Sequence, residues 1–164
     1  IPILNSSADY DLLSATVSDV VRLGLLGRFR FRITGGKFLE TNKLFLPDYK
    51  FFLGNQTIFN SKDYLNSFRL LQYYTYSANQ WFAEAHGEQH FRGFIINKIP
   101  FIKKLDVQEV AGFHFLSNNN LKYYYEINFG LEKLFKIIRV DYVLGYGISK
   151  KVNQGITIGF TMQF

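Results

Sequence analysis

Carboxylates and imidazoles recur at every second position of one segment, as Glu84, His86, Glu88 and His90. Side chains at alternate positions of a strand share a face, with neighbours about 6.5 to 7 Å apart. Both side-chain types bind zinc, and a catalytic zinc site uses three such ligands at about 2 Å. One straight strand cannot bring all four to one ion, so a second strand would have to contribute, with His114 as the candidate. The pattern favours a polar ladder over a metal site, and we predict no metal and no other cofactor.

Arginines are the expected partners of this ladder, namely Arg28, Arg30, Arg32, Arg92 and Arg139. Arg139 and Asp141 share a face of a later segment, and Asp106, Glu126 and Glu132 fall on polar faces of segments nearby in sequence. We interpret these charges as a structural salt-bridge network rather than an ion pathway. The sequence has no nucleophile elbow, phosphate-binding loop or metalloprotease helix motif, so we predict that the protein is not an enzyme.

Composition bounds the fold class. The chain has 164 residues, of which 18% are aromatic and 20% charged, and it contains no cysteine. Intrinsic disorder needs few aromatic residues, and a disulfide scaffold needs cysteines, so both are excluded. No uncharged apolar run reaches the roughly 18 residues of a transmembrane helix. The sequence contains no signal peptide and starts at Ile1 rather than Met, and we interpret the chain as a processed protein or a fragment of about one domain.

The net charge of +6 raises the possibility of a polyanionic partner. The basic residues occur as short pairs or alternate with phenylalanine, as in Arg28 to Arg32, and form no block. Alternating Arg and Phe fall on opposite faces of a strand, so they cannot stack together on bases. We predict no nucleic-acid partner.

Strict alternation of apolar and polar residues is the main structural signal. From Gly155 to Phe164 the even positions are all apolar and the odd positions are small or polar. The same pattern covers 28–34, 80–95, 122–132 and 138–147, and less cleanly 8–18 and 106–116, with polar turns at 117–120 and 149–153. A period of two indicates strands, and no helical pattern of about 10 to 15 residues intervenes. We predict an all-β antiparallel meander of seven or eight strands.

The faces of these strands favour a transmembrane β-barrel, in which the apolar face contacts lipid and the polar face lines the lumen. The apolar faces often run for five positions, which fits the roughly 9 to 11 residues of a spanning strand, and they are rich in Tyr and Phe. The predicted lumen-facing residues are Arg28, Arg30, Arg32, Glu84, His86, Glu88, His90, Arg92, Glu126, Arg139 and Asp141. Two alternatives stay open: a passive pore or receptor barrel whose lumen charges set selectivity, and a soluble barrel that binds an apolar ligand in its interior.

The last strand carries a recognisable ending. Thr157, Gly159, Met162 and Phe164 fit a polar–x–Gly–x–x–hydrophobic–x–aromatic pattern at the end of the sequence. This ending resembles the C-terminal signal of bacterial outer-membrane barrels, which the barrel-insertion machinery reads. The resemblance implies outer-membrane lipid and that machinery as partners.

A wider resemblance covers most of the chain after about Gly27. Pro47, Phe52, Gly54 and Asn55, within the stretch 46–55, resemble the entry to the long sixth extracellular loop of the bacterial surface antigen superfamily, which holds outer-membrane insertases and translocases. The stretch 125–136 and the following Arg139-Val140-Asp141-Tyr142 are most similar to one branch, which carries an N-terminal carboxypeptidase-regulatory-like domain without peptidase activity.

This resemblance implies that residues 1–164 are the C-terminal half of a larger barrel, with a long extracellular loop around 40–79. It also implies the outer membrane of a Gram-negative bacterium and a role in protein assembly, translocation or scaffolding, with other outer-membrane proteins or lipoproteins as possible partners. One departure is that the superfamily loop carries an Arg-Gly-Phe or Arg-Gly-Tyr motif that reaches into the lumen, and no such triplet follows Gly54 in the loop. Arg92-Gly93-Phe94 has the letters but lies at the end of a strand, and we interpret it as a coincidence.

Overall fold

The computed structural model describes residues 9–55, 57–60, 63–93, 96–98, 107–120, 123–147 and 152–160. Seven long strands carry the fold: β1 (Asp9–Arg22), β2 (Arg28–Lys43), β6 (Trp81–His90), β7 (Gln108–Asn118), β8 (Tyr124–Leu134), β9 (Ile138–Tyr146) and β10 (Val152–Phe160). Three short strands, β3 (Lys50–Phe51), β4 (Phe59–Asn60) and β5 (Ser77–Ala78), lie between β2 and β6. The all-β prediction is confirmed. No helix within the described ranges is long and apolar enough to span a membrane.

The long strands form one sheet that curls into a half-barrel. Its order is β1-β2-β6-β7-β8-β9-β10-β4. Each long strand pairs antiparallel with the next, whereas β4 pairs in parallel with the outer edge of β10. The meander of the sequence prediction is therefore present, except that β3, β4 and β5 interrupt it.

The register places polar residues opposite one another. His86 on β6 faces His114 on β7, and His114 faces Glu126 on β8. Directly opposite residues of an antiparallel pair point to the same side of the sheet. One face of the half-barrel therefore collects the polar side chains from several strands.

The sheet buries its polar face and exposes its apolar face. Eight titratable residues on the inner face are buried: His86, Glu88, His90, His114, Glu126, Glu132, Arg139 and Asp141. On the outer face, large apolar side chains are exposed, including Ile33, Trp81, Phe113, Phe129, Tyr142 and Ile156. A water-soluble sheet buries its apolar face and exposes its polar face, and this sheet does the opposite.

The inner face is covered by the connection between β2 and β6, residues 44–80, which we call the plug segment. It packs a small apolar cluster against one end of the inner face, formed by Phe52, Phe68, Leu71, Ala78, Phe82, Leu116 and Tyr124. The sequence predicts an extracellular loop here, and the described part of that loop folds back onto the sheet.

Among the strand limits that differ from the sequence prediction are those of β2, β6 and β10. β2 continues beyond Thr34 to Lys43, because the two glycines that break the alternation still pair, and Gly36 leaves room for the ring of Phe82. β6 ends at His90, so Arg92 lies beyond the strand and is exposed. Arg92 therefore lies outside the part of β6 whose alternate side chains share the inner face, and its lumen-facing position stays a prediction. β10 begins at Val152, inside the predicted turn.

Candidate functional site

Arg69 of the plug segment enters the buried part of the inner face. Its side chain is fully buried, and its Nη2 donates to Glu88 Oε1 on β6 at 2.7 Å. Its Nη1 lies 3.7 Å from Asp141 Oδ2 on β9. The side chain of Arg69 therefore contacts carboxylates on two strands of the sheet.

Arg139 on β9 completes this cluster of charges. Its Nε donates to Asp141 Oδ2 at 2.8 Å, and its Nη2 donates to Glu88 Oε1 at 2.7 Å. Glu88 Oε1 thus accepts from both arginines. Two guanidiniums and two carboxylates balance in charge within this cluster, although Nε and Nη1 of Arg69 are buried without a hydrogen bond.

Glu126 on β8 holds the backbone of the plug segment. Its Oε2 accepts the N–H of Arg69 at 2.7 Å, and its Oε1 accepts the N–H of Leu70 at 2.8 Å. The hydroxyl of Tyr124 donates to the same Oε1 at 2.6 Å. Hydrogen bonds to an ionised carboxylate are about twice as strong as neutral ones, so Glu126 is a firm anchor for the main chain.

Tyr64 brings an aromatic ring to the two arginines. The guanidinium carbons of Arg69 and Arg139 lie 4.3 and 3.7 Å from its ring centroid, within the range of cation–π attraction. Burial raises the pKa of the Tyr64 hydroxyl, so the ring remains a neutral phenol. The hydroxyl lies where a side chain at Gly159 would stand, since a Cβ there would be 1.8 Å away. Gly159 on β10 therefore makes room for the plug segment.

The histidines extend the network toward β7. His86 Nδ1 lies 2.8 Å from His114 Nδ1, and His114 Nε2 lies 3.1 Å from Asn128 Oδ1. Asn128 then donates to Asp141 Oδ1 at 2.9 Å, which joins this chain of bonds to the arginine cluster. The ring of Phe68 stands 4.8 Å from that of His86.

His90 lies between the carboxylates of Glu132 and Glu88. Its Nδ1 is 3.0 Å from Glu132 Oε1, and its Nε2 is 3.5 Å from Glu88 Oε2. Within the described ranges, no three His, Cys, Asp or Glu side chains are placed to hold a metal ion. The alternating ladder is thus tied into ion pairs, and its observed arginine partners are Arg69 and Arg139.

Of the predicted lumen residues, the structure brings together His86, Glu88, His90, Glu126, Arg139 and Asp141. Arg28, Arg30 and Arg32 lie on the same face of β2 but only half-buried, beside the network. Arg30 lies 4.0 Å from Asp63 of the plug segment, and Glu84 lies 4.0 Å from His86.

The predicted loop motif stabilises the plug segment. Pro47 lies in the short 3-10 turn Leu46–Asp48, and Phe52 is buried in the apolar cluster. Gly54 packs against the carbonyl of Leu71, where a Cβ would stand 2.1 Å from the oxygen. Asn55 Nδ2 donates to the carbonyl of Thr57 at 2.8 Å.

The predicted membrane-insertion signal is only partly described. Thr157 and Gly159 are buried on the inner face of β10. Met162 and Phe164 lie outside the described residues.

Sequence reasoning missed Arg69, Tyr64 and Phe68. They lie in a stretch with neither strand alternation nor a known motif. One signal was available, because Arg69 stands among Phe68, Leu70 and Leu71, and an arginine in an apolar run needs a partner if it is buried. Its partners Glu88 and Asp141 are far away in sequence, so the sequence could not show which residues pair with Arg69.

The buried carboxylates of the inner face are all engaged in contacts. Glu88 and Asp141 are bonded to guanidiniums, and Glu126 to two backbone N–H groups and a phenol. These contacts fasten the plug segment to β6, β8 and β9 at once.

One comparison with known proteins gives a match. A family model described as the C-terminal domain of a family of unknown function (DUF5686) matches residues 1–131. No curated protein and no solved structure matches the chain.

Proposed function

The chain belongs to the DUF5686 C-terminal domain family, and we propose that it forms one side of an integral outer-membrane β-barrel whose lumen is occupied by the plug segment. One observation carries this proposal: the sheet buries its charges and exposes its aromatic and aliphatic side chains. In lipid the exposed face is solvated by acyl chains, and the charged face is enclosed.

The size of the apolar surface supports the membrane assignment. Phe129 and Phe160 are 60% and 57% exposed, and Ile156 is 57% exposed. Each such side chain gains about 1.5–3 kcal/mol when it is fully removed from water. Soluble monomers rarely present large contiguous apolar patches. The long strands have 9 to 16 residues, enough for the roughly 9–11 needed by a tilted spanning strand.

The number and the direction of the strands support a barrel that is larger than the described sheet. Alternating antiparallel pairs make β1 and β10 run in the same direction. Bacterial barrels of this class are antiparallel with an even strand number. Closure therefore needs an odd number of further strands beyond the seven long strands described.

The plug segment supports the resemblance to the surface antigen superfamily, whose sixth loop carries an arginine into the lumen. Arg69 enters the buried inner face of the sheet here, although Leu70 and Leu71 stand where that motif has glycine and an aromatic residue. On this basis we include in the proposal the branch with the N-terminal carboxypeptidase-regulatory-like domain, and a role in outer-membrane protein assembly, translocation or scaffolding. The partners are then outer-membrane lipid, the barrel-insertion machinery and other outer-membrane proteins or lipoproteins.

A passive pore is the second candidate, and one observation favours it. Two polar cavities lie between the plug segment and the β1–β2 hairpin, and both are lined by Arg32 and Leu65. The soluble-barrel alternative has no such support, because the inner face carries charges rather than an apolar lining.

The test is to express the full-length protein in a Gram-negative host, separate the membranes, and compare unboiled with boiled samples on a detergent gel. We expect the protein in the outer membrane, with a band that shifts on heating. Recovery of folded protein in the soluble fraction would overturn the proposal.

A further inference from the structure

One end of the sheet collects exposed cations. The plug segment leaves β2 and enters β6 at one end of the sheet, and the short turns 23–27 and 135–137 lie at the opposite end. Five cations lie in or beside the β1–β2, β6–β7 and β8–β9 connections at this opposite end: Arg22, Arg92, Lys98, Lys133 and Lys136. We call these residues the basic rim. The fold thus brings basic residues that are scattered in the sequence to one end of the sheet.

Four members of the basic rim have no carboxylate partner among the described residues. These are all members except Lys98. Lys133 is half-buried, and the other members of the rim are exposed. Two carboxylates at the same end already have partners, since Glu109 accepts a backbone N–H and Glu132 contacts His90. The positive charge of the rim is therefore left to face its surroundings.

The other end of the sheet carries charges of both signs. Lys43 faces Asp9 across the pair of β1 and β2, and Glu40 faces Asp11. Lys37 is exposed on β2, as Lys43 is. Among the described strand ends, the excess of positive charge therefore lies at the basic rim.

The turns of the basic rim also expose apolar side chains. Leu25 follows Arg22 and is 89% exposed, and Phe135 stands between Lys133 and Lys136 and is 88% exposed. The backbone around Phe135 is strained, because Lys133, Phe135 and Lys136 have φ angles of 63°, 49° and 74°. Strained backbone of this kind is concentrated at functional sites. The β8–β9 turn therefore presents an apolar side chain between two cations in a conformation that costs free energy.

Cations beside an apolar side chain fit the surface of a phospholipid leaflet. Lysine and arginine attract the phosphate groups of anionic lipids, and an apolar side chain enters the boundary between headgroups and acyl chains. An acidic protein or a free phosphate would need only the cations. Bacterial barrels have short turns on the periplasmic side and longer loops outside. The short turns of the basic rim thus favour the periplasmic leaflet, whereas the plug segment starts from the other end.

Resting on the proposed function, we propose that the basic rim binds the phosphate groups of anionic phospholipids in the periplasmic leaflet. Lys133 and Lys136 contact the phosphates, and Phe135 lies between them at the boundary of the acyl chains. Arg22 and Leu25 make the same combination at the β1–β2 turn. This contact holds the barrel at a fixed depth in the membrane.

The test counts lipids that stay bound to the purified full-length protein. The protein is stripped of lipid in an uncharged detergent and titrated with phosphatidylglycerol or phosphatidylcholine, and bound lipids are counted by native mass spectrometry. The test variant is Lys133→Gln with Lys136→Gln. The matched control is Lys37→Gln with Lys43→Gln, which removes the same charge from the other end of the sheet.

We expect the wild type to retain phosphatidylglycerol in preference to phosphatidylcholine. The test variant should bind phosphatidylglycerol at least about fivefold more weakly, because each cation near an anionic surface contributes about that factor. The control should stay within about twofold of the wild type. Equal losses in both variants would overturn the proposal, since net charge rather than the rim would then bind the lipid. Unchanged binding in the test variant would overturn it too.

The source of the phosphate is tested separately. Phe135→Ser should also weaken binding of phosphatidylglycerol, and wild-type binding in this variant would show that the cations act alone, as for a free phosphate or an acidic protein. Tighter binding of lipopolysaccharide than of phosphatidylglycerol at the rim would place it in the outer leaflet. Either result would overturn the phospholipid assignment.

Failure of the proposed function gives a different result. It is seen on the detergent gel before any lipid is added, as the absence of a heat-modifiable band of the wild type in the outer membrane. Each variant is checked for the same band before its lipids are counted. If the double variant does not fold, Lys136→Gln is compared with Lys37→Gln, and equal binding of phosphatidylglycerol by these two would overturn the proposal.

Discussion

Arg69 is the residue on which the position of the plug segment depends most. Its side chain reaches Glu88 and Asp141, while its backbone is held by Glu126. A guanidinium suits this place because it can donate in several directions from one plane. The side chain and the main chain of one residue are thus fixed by three strands.

Replacing Arg69 with alanine should release the plug segment. Removing one partner of a buried ion pair costs about 3–5 kcal/mol, because the remaining carboxylates stay buried. We expect a lower urea midpoint for the purified full-length protein in detergent, and faster cleavage of residues 44–80 by added protease. Arg92→Ala is the control, since Arg92 is exposed beyond β6 and its loss should change neither measurement. An unchanged cleavage rate in Arg69→Ala would show that the cluster does not hold the plug segment.

Gly159 should tolerate no side chain. A Cβ there would stand 1.8 Å from the Tyr64 hydroxyl and 2.9 Å from the carbonyl oxygen of Asn60. Overpacking of this kind typically costs about 1–3 kcal/mol. Gly159→Ala should therefore lower the temperature at which the gel band shifts. Gly35→Ala is the matched control, because the nearest atom to its Cβ would be 3.9 Å away, and the two variants should differ clearly.

At the scale of the element, alternation predicted most of the strands but not their ends. β8 and β9 match the predicted segments to within about two residues, because their two faces differ strongly in polarity. β2 was predicted too short because Gly35 and Gly36 look like a break, and only the position of Phe82 across the sheet explains them. The plug segment could not be predicted, since its contacts join distant residues, such as Arg69 and Glu126 at 57 positions apart, and leave no local period.

A substitution on the outer face of β8 tests whether this face contacts lipid. Phe129 lies at the middle of the strand and is 60% exposed. A charged residue on the lipid face costs about 2–4 kcal/mol near the bilayer midplane. Phe129→Arg should therefore reduce the heat-modifiable outer-membrane fraction. Phe135→Arg, in the turn between β8 and β9 and 88% exposed, should have little effect. In water both changes would fall within about 0.5 kcal/mol, so equal behaviour of the two variants would argue against lipid contact.

At the scale of the whole molecule, the proposed barrel acts as an assembly barrel or as a pore according to how completely the plug segment closes its lumen. Polar cavities remain beside β1 and β2, and another lies between the plug segment and β10, where Arg69 and Thr157 line it. Arg32 lines both cavities beside β1 and β2, but Asp63 lines one of them and Glu84 the other, so charges of both signs border any path that opens there. The sequence predicted charges on these strands, but it could not show where the plug segment leaves the inner face open.

Conductance of the full-length protein in a planar bilayer tests whether the plug segment closes the proposed lumen. We expect the wild type to conduct little, because Arg69, Tyr64 and Phe68 fasten the plug segment to the wall. Replacing residues 63–72 by a flexible Gly-Ser linker of equal length removes these contacts and should give steady current. Adding Arg30→Glu and Arg32→Glu to that variant should shift the selectivity of this current toward cations. Steady current through the wild type at the level of the linker variant would instead favour the passive pore, because the plug segment would then not close the lumen.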